Sequence, residues 1–305
     1  MRKLAINIVV FLIIYCVLHV LVVCIIGENL TYYKIGSYGH MYTRIKEIPL
    51  HNNPDILFLG SSHSYRGFDS RIFSERGITT FNLGSSSQTP KQTEVLLKKY
   101  LSKIKPKMIV FEVYPGVFQG DGIESTTDLI SNDHIDYEIC KLALLSENVK
   151  VINTLIYGLY QEYICNIRES FVEDRCKDGD VYVFGGYVEK TEFSPFVRDS
   201  ISPCNTPIII RQDQLKAFER CINLINDNDI PCLLVEASVP NSTYKSMINH
   251  AEFSKSISSY GKYVDFNTIL QLDDTCFFDS DHLAQPGVCL FNDCLIRVLD
   301  TIDLH

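Results

Sequence analysis

The sequence predicts a three-layer α/β domain, a mainly parallel sheet with helices on both faces, preceded by one transmembrane helix. Three observations predict it. Short apolar runs alternate with amphipathic segments along most of the chain, the pattern of a parallel sheet covered on both faces. Several runs end in Gly, Ser or Glu, and such sheets build their sites at the carboxyl ends of strands. Near the amino terminus, 23 residues from Leu4 to Ile26 carry no formally charged side chain.

As a helix that stretch spans roughly 34 Å at about 1.5 Å per residue, enough to cross a bilayer core with some tilt. A cleaved signal sequence is the alternative. Its apolar region is shorter and ends at small residues. Here the end reads Val22–Ile26 with no Ala-x-Ala site, and Val23 before Cys24 fits a lipoprotein cleavage box poorly. The expectation is an uncleaved anchor over residues 1–27, holding the membrane through residues 4–26. The basic start at Arg2 and Lys3 favours a cytoplasmic amino terminus. Lys34, Arg44 and Lys46 on the far side weaken that asymmetry. The domain is still expected outside the cytoplasm, in a periplasm or at a cell surface.

Residues 28–53 are mixed and tyrosine-rich and are expected to form a juxtamembrane connector. The domain then runs over 54–305. Its 305-residue chain is 46% hydrophobic and 21% charged, enough for one large core. The net charge of −9 disfavours nucleic acid, because phosphate binding draws on a basic surface. The eight His and 11 Cys form no Cys-x-x-Cys, His-Glu-x-x-His or other ligand spacing, so neither a metal nor a cofactor is expected. Cys221, Cys232 and Cys289 sit in apolar segments and read as small buried hydrophobes. Cys165 and Cys176 lie in a loop-like region where a pair is conceivable in an oxidising space.

The elements follow in order. Asp55–Leu59 is an apolar run closed by Gly60, the pattern of a buried strand. Thr80–Leu83 is a short strand before Gly84. Thr89, Pro90 and Gln92 open a helix, with Thr89 as N-cap, Pro90 in the first turn and Gln92 completing a capping box. Met108–Phe111 is the third strand. Leu215, Phe218, Ile222 and Ile225 mark a helix face. Pro231–Glu236 is the next strand, 244–260 a helix, Tyr263–Phe266 a last short strand, and 286–302 the closing helix. Residues 116–210 fit this alternation poorly. They hold a helix over 134–160 and the run Val181–Gly186, and read as an insertion over the site.

Two segments carry chemistry. A strand running into Gly60-Ser61-Ser62 puts a serine in a tight turn at the sheet edge. That turn exposes a hydroxyl and points backbone N–H groups above it, as acyl transfer requires. Taken alone, Gly-Ser-Ser after a strand is more often a solvated turn. The second segment is Phe277–Leu283. Asp279, three residues before His282, can fold back onto the imidazole and hold its tautomer. Asp281 competes for that place but is adjacent in sequence and points elsewhere. Asp-x-x-His alone is also common as a surface turn.

Together the segments resemble the SGNH (GDSL-like) hydrolase superfamily. Ile56–Ser62 is similar to its first block, with Ser61 where the family has Asp. Asn82-Leu83-Gly84 matches its second block, and Asp279 with His282 its last. The ending from Phe278 to Leu283, with Gly287 and Phe291, looks like the membrane-anchored branches, among them the D-alanyl-lipoteichoic acid biosynthesis and alginate O-acetyltransferase-like proteins. The resemblance implies an SGNH/flavodoxin-like fold with Ser62, Asp279 and His282 as triad. It implies Ser62 and Gly84 as oxyanion-hole N–H donors. The family's third-block Asn is missing, since the matching strand end is Glu112–Pro115; Tyr114 or an insertion residue then supplies the donor, or none does. Ser61, His63, Arg66 and Tyr114 are candidate substrate contacts. For His63 a solvated turn is the simpler account, and Arg66 serves equally as a surface ion pair.

The resemblance further implies a serine-dependent O-acyltransferase or esterase, with acetyl transfer to a cell-surface polysaccharide as the expected reaction. A glycan acceptor and a multi-pass membrane acyltransferase as acyl donor are the expected partners. A carbohydrate esterase, or an inactive envelope protein that binds a glycan or a partner, is the alternative.

Overall fold

The computed structural model describes residues 2–36, 39–192 and 205–301. Among these, the strands are β1 (Ile56–Leu59), β2 (Thr80–Asn82), β3 (Met108–Glu112), β4 (Cys176–Lys177), β5 (Asp180–Val183), β6 (Tyr187–Lys190), β7 (Cys232–Glu236) and β8 (Lys262–Asp265). Five of them form one parallel sheet in the order β2-β1-β3-β7-β8. The continuous apolar runs are explained by burial on both faces. Leu57, Leu59, Phe81, Ile109, Phe111 and Leu234 point into one core. Ile56, Phe58, Val110, Leu233 and Val235 alternate with them into the other, as the two-residue period of a strand dictates.

Helix α1 (Arg2–Leu30) is long and apolar enough to cross a membrane. The chain continues through α2 (Met41–Glu47), α3 (Ser62–Gly67), α4 (Ser70–Ser74) and α5 (Pro90–Ile104). The capping box at Thr89 and Gln92 is formed as the sequence predicts. Residues 41–50, expected only as a connector, are packed structure. Arg44 is wholly buried, its guanidinium donating to the Gly186 carbonyl at 3.0 and 3.2 Å.

The insertion contributes α6 (Pro115–Gln119), α7 (Ile123–Asn132), α8 (Tyr137–Leu144), α9 (Val149–Tyr163), α10 (Ile167–Ser170) and the antiparallel sheet β4-β5-β6. Its residues 193–204 lie outside the described residues. The single helix expected over 134–160 is two. Glu147 takes a left-handed backbone, φ 51°, and the Asn148 side chain accepts from the N–H groups of Lys150 and Val151, starting α9 afresh. The chain closes with α11 (Gln212–Asn226), α12 (Asn241–Ser246), α13 (His250–Ser258), α14 (Phe266–Ile269) and α15 (Gln285–Thr301). The helix expected over 244–260 is also divided, at Asn249. Its side-chain amide exchanges two hydrogen bonds with the backbone of Ile208, at 2.7 and 3.0 Å.

Candidate active site

β1 lies where the strand order reverses, between β2 and β3, the switch point at which open parallel sheets leave a crevice. Gly60 ends β1 with φ +136°, and a Cβ there would stand 2.8 Å from the Cβ of Glu112 on β3. Only glycine lets the chain turn so close to its neighbour. Ser61 then caps α3, its Oγ accepting from the His63 N–H at 3.3 Å. Ser62 opens that helix, at the carboxyl edge of the sheet.

The loop after Cys276 brings in the other two groups. Phe277 and Leu283 pair across it, and the Phe278 N–H donates to the His282 carbonyl at 3.2 Å. Asp279 Oδ1 accepts from the N–H groups of Asp281 at 2.8 Å and His282 at 2.7 Å. The same carboxylate reaches His282 Nδ1, at 2.9 Å from Oδ2 and 3.1 Å from Oδ1. His282 Nε2 stands 2.8 Å from Ser62 Oγ. A carboxylate on Nδ1 makes that nitrogen the N–H, which leaves Nε2 to accept from the serine hydroxyl. Burial pushes the Asp279 carboxyl up, but hydrogen bonds from His282 and the two backbone N–H groups prevail and hold it below its ordinary value.

Solved structures give distant likenesses. A GDSL-like lipase from Bacteroides thetaiotaomicron VPI-5482 is 10% identical, with a TM-score of 0.43, over 87% of this chain and 98% of the other. A two-domain esterase active on acetylated mannans is 12% identical, with a TM-score of 0.38, over 88% of this chain and 56% of the other. Likenesses this distant assign no activity. No protein-family model matches the sequence, and no curated protein matches it.

Around Ser62 is a cleft of about 350 Å³, lined by Tyr114 and Asp281 and, from the insertion, by Gly116, Asp121 and Glu124. A larger cavity of about 520 Å³ lies at the opposite edge of the sheet, lined by Pro231, Cys232 and Lys262. It holds none of the groups just described.

The remaining candidates separate into cleft residues and framework. His63 is buried, stacked on Tyr114 with centroids 3.9 Å apart and on His282 at 4.8 Å. Burial pulls its pKa down to about 4, against the pull of Asp281. It is therefore a neutral packed ring, not a solvated turn residue. Tyr114 donates its hydroxyl to Asp281 Oδ1 at 2.6 Å. Asp281 is thus engaged away from His282, as its adjacency in sequence predicts.

Three of the candidates have partners within the protein. Ser61 lines the cleft but is buried, with Oγ 3.3 Å from His63 Nδ1 and 3.4 Å from Glu112 Oε2, so it supports the turn. Arg66 forms a two-pronged ion pair with Asp180 of β5, at 3.0 and 2.7 Å, and clamps the insertion to α3. The Gly84 N–H donates to Asn82 Oδ1 at 2.9 Å, so it is not presented to an oxyanion. With the Tyr114 hydroxyl also engaged, the Ser62 N–H is the remaining donor of those the sequence named.

Two further groups, named in the sequence only as motif positions, form the framework. Asn82 ties three segments, donating to the Ser64 carbonyl at 2.9 Å and accepting from the Ser64 hydroxyl and Gly84. Glu112 is fully buried beneath Gly60, and burial, then the nearby Glu236, pushes its carboxyl well above the usual range. The sequence signals were the Asn82-Leu83-Gly84 block for one and a Glu ending an apolar strand for the other.

His63, Asp281 and His282 bring ligand-type atoms within 4.8 Å of one another. Two of the three are already engaged, His282 between Ser62 and Asp279 and Asp281 with Tyr114. The arrangement suits proton transfer at a serine hydroxyl.

Proposed function

We propose that this protein is a serine-dependent enzyme of ester chemistry, with Ser62 as nucleophile, His282 as base and Asp279 as its orienting carboxylate. One observation carries the reading: the unbroken hydrogen-bond chain from Asp279 through His282 to Ser62 at the mouth of a cleft. His282 Nε2 takes the hydroxyl proton as Ser62 Oγ bonds to the ester carbonyl carbon. The charge on the carbonyl oxygen faces the Ser62 N–H. The carbon–oxygen bond to the alcohol then breaks, and His282 returns the proton to the leaving alkoxide. A second hydroxyl, from an acceptor or from water, then attacks the acyl-serine carbonyl carbon with His282 again taking the proton; the bond to Ser62 Oγ breaks, and His282 returns that proton to Ser62.

The finer reading is O-acetyl transfer to an envelope glycan, delivered by a multi-pass membrane acyltransferase. An anchored α1 supports it, because tethering raises the effective concentration of a membrane-bound acceptor. The insertion lines part of the cleft, and excluding water favours transfer over hydrolysis. The shortage of oxyanion donors favours the non-catalytic alternative, since each missing donor typically costs about 100- to 1000-fold in rate.

Fluorophosphonate labelling of the full chain in detergent separates these readings. Labelling is expected, lost in Ser62→Ala and kept in Ser61→Ala. An unlabelled wild-type chain makes the protein a binder. Turnover of a model acetyl ester with and without a glycan acceptor then decides the reaction. Acetyl-glycan formation with faster ester turnover marks a transferase, whereas acceptor-independent release of acetate marks an esterase.

A further inference from the structure

Helix α9 carries an apolar stripe that is partly exposed. Its buried side, Val151, Leu155 and Gly158, packs into the domain. A second side meets α1: Asn153 Oδ1 is 3.0 Å from His19 Nε2, and Tyr157 lies so close to Gly27 that a Cβ there would stand 2.2 Å from its ring. The third side is Val149, Ile152, Ile156 and Tyr163, at helical spacing of 3, 4 and 7 residues and all partly or fully exposed. Val149 is 70% exposed and Tyr163 56%. Leu144, Leu145 and Ile164 extend the patch at both ends, each more than 60% exposed. Lys150 is turned off this face, with Nζ 4.5 Å from the centroid of the Tyr32 ring.

We propose that this face of α9 rests in the lipid bilayer as a second membrane contact, so that the insertion lies on the membrane beside the anchor. The proposal rests on reading α1 as membrane-spanning. The contact between Asn153 and His19 is what selects lipid as the occupant. His19 falls seven residues inside the end of the uncharged run that closes at Ile26. Seven residues of helix are about 10 Å. A helix that meets α1 at His19 therefore enters the same apolar layer, to the depth at which amphipathic interfacial helices lie. An exposed stripe of Val, Ile and Tyr there is matched to acyl chains and headgroups. In water it would be an exposed apolar patch of the kind monomers avoid.

The contact bears on the cleft. α9 packs on α7, and Glu124 in the first turn of α7 lines the cleft around Ser62. The ten residues of α7 span about 15 Å. A lipid-seated α9 thus holds the cleft close to the membrane surface, where a lipid-linked acceptor is within reach and a freely soluble polymer is not favoured.

The chain contains no tryptophan, which gives a direct test. Ile156→Trp, in the full chain reconstituted into phosphatidylcholine–phosphatidylglycerol vesicles, is compared between plain and acyl-brominated phosphatidylcholine. Ile13→Trp in α1 reports the anchor, and Leu290→Trp on α15, on the opposite face of the sheet, reports bulk domain. The expected result is that brominated lipid removes most of the emission of Ile156→Trp and Ile13→Trp and leaves Leu290→Trp bright. Quenching of Ile13→Trp without Ile156→Trp overturns the proposal, keeps the anchor and leaves the stripe to a protein partner. Quenching of neither overturns the anchor and the proposal together.

Discussion

Two histidines at the carboxyl edge of the sheet each join a serine to a carboxylate, and they have opposite fates. His282 links Asp279 to Ser62. His250 links Glu236, 2.7 Å from its Nε2, to Ser254, 3.2 Å from its Nδ1. The second set is closed. Ser254 sits one turn along the same helix as His250, and Tyr263 donates its hydroxyl to Glu236 at 2.6 Å. Burial pulls the His250 pKa down, but hydrogen bonding and charge from Glu236 prevail and raise it. Ser62, by contrast, opens on a cleft, and its histidine is oriented by a carboxylate three residues away in a turn. What separates the two sets is access and topology, not residue type.

The largest expected effect tests that contrast directly. Ser62→Ala lowers turnover of p-nitrophenyl acetate by on the order of 10⁴-fold or more, while Ser254→Ala leaves it unchanged. Loss of activity in Ser254→Ala with retention in Ser62→Ala would exchange the two roles. Next in size, Asp279→Asn lowers kcat by about 10³- to 10⁴-fold, because the ring loses its fixed tautomer. Asp281→Asn, which touches Tyr114 and not His282, costs far less. Equal losses in the two variants would show that Asp281 shares the orienting role.

The closed set predicts a stability effect instead. His250→Ala removes a hydrogen-bond partner from the buried Glu236 and costs about 1–3 kcal/mol, read from urea unfolding in detergent, with kcat per folded molecule unchanged. A fall in kcat without a fall in stability would move His250 into the catalytic machinery.

The third histidine sharpens the comparison through pH. The folded pKa of His63 is depressed from 6.5 to about 4. Its contribution to stability is therefore fully present above pH 6.5 and is lost as pH falls through that window. A shift of this size corresponds to about 3 kcal/mol. His63→Phe is expected to flatten this part of the stability–pH curve. An unchanged slope in the variant assigns the acid sensitivity to other groups.

The smallest effect concerns Arg66. Arg66→Ala removes the clamp on Asp180 and costs about 2 kcal/mol of stability, with KM for a neutral ester unchanged. A rise in KM at unchanged stability would return Arg66 to the substrate.

Much of this was legible in the sequence because it is local. Strand runs such as Ile56–Leu59, the capping box at Thr89 and Gln92, and the Asp279–His282 turn depend on neighbours within a few residues, and hydrophobic period and turn chemistry encode them. The choice of Asp279 over Asp281 followed from the reach of a short turn. The rest was decided in three dimensions. Arg66 faces Asp180 across 114 residues, and no local pattern distinguishes such a pair from a substrate contact. The N–H of Gly84 is taken by Asn82 because the loop after β2 folds back on itself. Arg44, in a stretch that reads as a connector, is buried because the carbonyl of Gly186, 142 residues away, arrives to accept its charge-assisted hydrogen bonds. Sequence by itself singled out Ser62, Asp279 and His282, which the fold brings into one hydrogen-bond chain. Only the tertiary structure decided which hydrogen-bonding groups remain open to a substrate, since each donor is shared out among partners that folding brings together.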